Sequence, residues 1–125
     1  MPRNERITVP LWRIAHARAG DKGDVLNVGV FARQPRFFSV LVEQVTEERI
    51  AALFAHRRPR AVRRHLLPKI EALNLVLEGV LEGGVNRALG LDAHGKTLSC
   101  LVLSLPVEVP ADLLGQTSAE RTPTA

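Results

Sequence analysis

Apolar and polar positions follow two different periods along this chain, and the switches between them lay out its elements. Residues 11–17 set Leu11, Arg13 and Ala15 against Trp12, Ile14 and His16, a period of two that suits a strand. Residues 26–32 are rich in Val, Gly and Phe, the composition of a central strand covered on both faces. Gly29 within it marks a place where a side chain or ligand comes close to the backbone. Gln34-Pro35-Arg36 breaks the pattern. Phe37, Val40, Leu41 and Val45 then fall at helical spacing, and Ile50, Leu53 and Phe54 carry the stripe on. The pattern predicts one helix over 36–57, or two joined near Thr46, where Glu47 and Glu48 suit a helix N-terminus. Residues 60–67 read as a strand that Pro68 ends. Ile70, Leu73, Leu77, Val80 and Leu81 predict a second helix over 70–81, terminated by Gly83-Gly84. Strands over 85–91 and 98–107, joined by the turn Asp92-Ala93-His94-Gly95-Lys96, complete the pattern.

This order predicts an α+β two-layer sandwich, a mostly antiparallel sheet with two helical segments on one face. Residues 11–110 form its single domain, 1–10 a polar lead and 111–125 a disordered tail. A sheet with one helical face leaves its other face or an edge to be covered, and homo-oligomerisation is an ordinary solution. The single Cys100 excludes an intrachain disulfide and a multi-cysteine metal site; inside an apolar run it reads as a buried, inert thiol. No apolar run is long enough to span a bilayer, and the polar start lacks a signal-peptide pattern. A cytoplasmic protein without a membrane partner is expected.

Charge adds one candidate surface. Basic residues outnumber acidic ones by seventeen to thirteen, and the excess gathers in Arg57, Arg58, Arg60, Arg63 and Arg64, bordered by His56 and His65. Such a cluster attracts phosphates. The plainer reading, a solvated strand edge or helix end or a subunit contact with an acidic partner, is preferred because charged surfaces are common. With no tyrosine, one tryptophan and four phenylalanines, side chains for stacking on bases are scarce, which disfavours nucleic acid.

The most unusual stretch is Arg18-Ala19-Gly20-Asp21-Lys22-Gly23-Asp24, a seven-residue polar centre between two apolar runs and read as a wide loop. Three readings stand beside one another. Asp21, Asp24 and Asn27 offer oxygen to a hard cation, but the spacing is not that of the twelve-residue calcium loop and Lys22 intervenes, so no metal is assigned. Lys22 and the loop N–H groups could hold a carboxylate or phosphate, as backbone nests do, although Gly-Lys-Ser/Thr of a P-loop is missing. Or the aspartates bond loop amides and pair with Lys22 or Arg18 in a structural turn. His16, at the entrance to the loop, is weighed as a general base against a packed strand histidine. Asn86 and Arg87 after Gly83-Gly84 repeat the glycine-plus-polar theme, and the two segments are expected to line one cleft. The candidate ligand-binding set is therefore Arg18, Gly20, Asp21, Lys22, Gly23, Asp24, Asn27, Gly83, Gly84, Asn86 and Arg87. No cofactor is implied, and no Ser/His/Asp or Cys/His arrangement has a recognisable context.

The stretch Ala17–Arg33, ARAGDKGDVLNVGVFAR, resembles the ARSGDKGD–N-G-x-x-AR signature of the AtuA-like (acyclic terpene utilisation) family, with Ala19 where the family commonly has Ser. The resemblance continues through Thr46-Glu47-Glu48-Arg49 and Phe54-Ala55-His56, then Leu73-Asn74, Val76-Leu77 and Gly79. It ends with Gly83-Gly84-Val85, Arg87, Leu89, Leu91-Asp92 and Gly95-Lys96, so that it spans roughly residues 10 to 110. It implies a ferredoxin-like fold, a link to terpenoid or acyl-CoA catabolism, and a partner, because this domain also occurs at the C-terminal end of longer AtuA-type chains. A small accessory domain acting with a larger AtuA-type subunit is the expectation. The alternative is a catalytic or ligand-binding protein holding a small anionic ligand at the Asp21–Asp24 loop.

Overall fold

Short strand β1 (Arg6–Pro10) precedes a hairpin of β2 (Ala15–Lys22) and β3 (Val25–Ala32) in the computed structural model, which describes residues 5–80 and 98–114. Two helices follow, α1 (Phe38–Gln44) and α2 (Glu47–Leu53). A second hairpin pairs β4 (Ala61–Leu67) with β5 (Ala72–Glu78). Helix α3 (98–103) then leads to β6 (Pro106–Pro110) and a last helical turn over 111–114. The main sheet has the order β2-β3-β5-β4, antiparallel throughout, while β1 and β6 make a separate two-stranded ribbon. Because β5 lies between β3 and β4, the passage from β3 through the helices to β4 is a split βαβ unit. This is the α+β two-layer arrangement expected.

The core lies between the helices and one face of the sheet. Leu26, Val28 and Val30 of β3 and Leu73, Leu75 and Leu77 of β5 meet Val40, Leu41, Ile50, Phe37 and Phe54 there, all buried. The helical stripe of 36–57 is broken in two. Val45 leaves helical geometry, and the Thr46 hydroxyl accepts a hydrogen bond from the Arg49 N–H at 3.2 Å, capping α2. The ribbon is sealed by side chains. The Gln44 amide donates to the Glu108 carbonyl and accepts from the Glu108 N–H at 2.8 Å, and Arg49 donates to the Pro106 carbonyl at 2.7 Å.

Several expectations are corrected. The helix expected over 70–81 is overturned in its described part, 70–80: after a 3-10 turn (Pro68–Ile70) and Glu71 in the left-handed region, the chain runs extended as β5. Leu73 and Leu77 satisfy a helical stripe, but Leu75 between them is equally buried, which only a period of two allows. The reverse holds for the first part of 98–107: over 98–105 the buried positions are Leu98, Val102 and Leu105, at helical spacing, and 98–103 coil before Pro106 starts β6. Cys100 is consequently exposed on α3, not buried in a strand. Leu11–Arg13 form a 3-10 turn, so the first hairpin strand starts at Ala15 rather than Leu11. Residues 6–10 of the supposed lead are β1, and 111–114 of the supposed tail are helical, with Leu113 and Leu114 packed on the core. The Gly83-Gly84 terminus, the strand over 85–91, the turn at 92–96 and the tail beyond 114 lie outside the described residues.

Candidate functional site

The seven-residue polar centre is mostly strand. The β2–β3 register runs without interruption from Ala15↔Ala32 to Lys22↔Val25, leaving Gly23 and Asp24 as a two-residue turn. Gly23 has φ +63°, at the position where a type II′ hairpin turn takes glycine. Alternation along β2 then sorts the signature by face. Ala17 and Ala19 pack against the core, while Arg18, Gly20 and Lys22 face the other way and are exposed.

That other face is turned away from α1 and α2. Its residues follow from the registers: Arg18, Gly29, Asn74 and His65 make one cross-strand row from β2 to β4, and Gly20, Asn27, Val76 and Arg63 the next. Asn74 Nδ2 donates to Asn27 Oδ1 at 3.1 Å, joining the two rows. Arg63 pairs with Glu78 at 3.2 Å. Gly29 has a packing reason, since an added Cβ would lie 3.0 Å from the Phe31 ring, which stacks on His16 with centroids 5.2 Å apart. Partial desolvation first, then repulsion from Arg33 and Arg18, holds the His16 imidazole below its ordinary range.

The His16 shift carries a prediction. The folded state binds this proton less readily than the unfolded chain, so stability falls as pH drops through the window below about 6.5. In Arg18→Ala the NMR titration midpoint of His16 is expected to rise yet remain depressed, because desolvation and Arg33 persist. An unchanged midpoint would show that Arg18 does not set this field.

Asp24 belongs to a structural corner. Its carboxylate accepts from Arg60 Nη2 at 2.7 Å, its carbonyl accepts from the Gly79 N–H at 3.0 Å, and the Arg60 N–H donates to the Glu78 carbonyl at 2.7 Å. The turn of one hairpin is thereby tied to the corner between β4 and β5. Asp21 lies on the opposite side of β2 from Lys22, so Asp21 and Asp24 do not converge with Asn27 as ligands to one ion. Among the described residues no three His, Cys, Asp or Glu side chains are grouped to hold a metal. The expected cleft with Gly83, Gly84, Asn86 and Arg87 lies outside the described residues.

The arginine cluster disperses into internal contacts. Arg57 donates to the Val80 carbonyl, Arg60 pairs with Asp24, and Arg63 pairs with Glu78. Arg64 donates to the Val42 and Val45 carbonyls, both at 2.8 Å, and its N–H donates to Glu47 on the β4 edge. These groups hold the α1 end and the edge strand in place.

The registers bring Arg18, Gly20, Lys22 and Asn27 together, remove Asp21, Gly23 and Asp24 from that face, and add Asn74 and His65. The signal for Asn74 is a lone amide inside the apolar run Leu73–Leu77.

The sequence model of the AtuA ferredoxin-like domain matches residues 9–108. The chain belongs to this family. The match covers most of the 125 residues, and its two ends fall on the β1–β6 ribbon, where Val9 pairs with Val107. The ribbon therefore closes the AtuA ferredoxin-like unit on itself. A search of curated proteins and one of solved structures found no match. None of the described helices is long and apolar enough to cross a membrane.

Proposed function

We propose that this AtuA ferredoxin-like domain is an accessory module that assembles with a larger AtuA-type subunit in cytoplasmic catabolism of terpenoid or acyl-CoA compounds. One observation carries the reading. At the C-terminal end of edge strand β4, Leu66 (42% exposed), Leu67 (40%) and Ile70 (56%) lie in the open. With Pro68 and Lys69 they line a groove of about 350 Å³. An apolar groove beside a sheet edge that pairs with none of the described strands is a feature that folds in water usually cover, through strand addition or docking of another subunit. The middle of that edge is engaged by Glu47, which accepts from the Arg64 N–H at 2.9 Å, and the leucine end beyond it is the part offered to a partner.

The test is native mass spectrometry of the chain isolated gently from its source, beside Ile70→Asp. The expected result is a complex with a larger subunit that the substitution dissociates, with far-ultraviolet circular dichroism unchanged because the side chain is exposed. A bare monomer at every concentration would overturn the reading. A complex of identical copies alone would replace the larger subunit by self-association.

A further inference from the structure

We infer that the outer face of the β2–β3 hairpin is an oxyanion site for a phosphate-bearing ligand, centred on Gly20. This does not rest on the assembly reading, and it lies on a different part of the sheet from the Leu66–Ile70 groove. The reasoning begins with the alternation of β2. Arg18, Gly20 and Lys22 share one face, so the two cations stand about 7 Å to either side of a position with no side chain. Among the described residues nothing lies within 4 Å of where a Cβ of Gly20 would be, so they leave the space between the two cations open. Directly across the ladder from Gly20 is Asn27. Its Oδ1 is occupied by Asn74 Nδ2, which fixes the amide with its own NH₂ as the remaining donor. A guanidinium, an ammonium and an oriented amide thus surround one bare stretch of backbone.

The charge balance of the face points the same way. Among the described residues its carboxylate is Glu78, already paired with Arg63, while Arg18 and Lys22 add two positive charges beside the histidines 16 and 65. Two cations and a neutral donor match a doubly charged phosphate better than a singly charged carboxylate, and Arg fits its oxygens in a bidentate manner. Asp21 projects to the opposite face and does not oppose the anion.

The experiment is a titration of the ¹⁵N-labelled chain with inorganic phosphate at constant ionic strength, read from amide shifts of Gly20 and Asn27, with chloride and acetate as parallel arms. Saturable shifts with phosphate, at least about tenfold weaker in Arg18→Gln and in Lys22→Met, are expected. Gly20→Val tests the space itself: its backbone is not in the left-handed region, so the strand tolerates valine, yet the side chain fills the cradle. Binding is expected to vanish in this variant while thermal stability is retained, and Asp21→Asn is expected to bind as the natural chain does. Equal shifts from chloride, or undiminished phosphate binding in Gly20→Val, would overturn the site. Tighter binding of acetate than of phosphate would overturn the phosphate assignment.

Discussion

Leu75→Ala is expected to lower unfolding stability by about 2–5 kcal/mol, a large share of the roughly 5–15 kcal/mol typical of a domain. Leu75 is fully buried on β5, one of the two inner strands of the described sheet, between Val28 of β3 and Arg64 of β4. Its neighbours along the strand, Leu73 and Leu77, are fully buried on the same face, so the removed methyls leave a cavity with little freedom to collapse. Val76, one residue on, faces the other side of the sheet and is only half-buried. Val76→Ala is expected to cost about 1 kcal/mol or less by the same area reasoning. The contrast tests the fold directly. On a helix, Leu75 would point about 200° away from Leu73 and Leu77, and truncation there would be nearly silent. Urea unfolding of the two variants decides it, and equal small losses would contradict the strand.

That contrast also shows what the amino-acid pattern makes legible. β3 and β4 are readable because their apolar positions agree with β propensity and because Pro35 and Pro68 punctuate them. The break at Thr46 is readable from its capping chemistry. β5 is not, because leucine favours helices and Leu73, Leu77 and Val80 also sit at helical spacing; its sheet neighbours override that preference. In 98–105 the leucines crowd so closely that both periods fit, and only the buried set Leu98, Val102 and Leu105 picks the helix. The signature stretch is concealed differently. Ala17 and Ala19 are too small to advertise a buried face, while Arg18, Asp21 and Lys22 imitate a loop. The outer face depends on register, so Asn74 and His65 join Arg18 only once the strands are aligned.

Gly79→Ala is expected to cost about 2–4 kcal/mol, and Gly23→Ala about 1 kcal/mol, although both glycines have positive φ. At Gly23, φ is +63°, inside the left-handed region, and among the described residues nothing lies within 4 Å of an added Cβ. Alanine there suffers the backbone preference alone, partly offset by the reduced freedom of the unfolded chain. At Gly79, φ is +90°, and the Cβ would lie 3.2 Å from each of three Arg60 atoms: the backbone N, Cγ and Nη1. The backbone N decides the sign. It donates to the Glu78 carbonyl at 2.7 Å, where the chain enters β4, so it cannot retreat without loosening that ladder. The displacement would reach the hairpin turn as well, because the Gly79 N–H donates to the Asp24 carbonyl and Arg60 holds the Asp24 carboxylate. A double-mutant cycle with Arg60→Ala separates the contributions. Removing the side chain abolishes the Cγ and Nη1 contacts and an exposed ion pair worth at most about 1 kcal/mol, but leaves the backbone contact in place. Arg60→Ala is therefore expected to recover less than half of the Gly79→Ala loss. Fuller recovery would move the strain into the flexible side chain, and equal costs at Gly79 and Gly23 would mean that the corner yields freely.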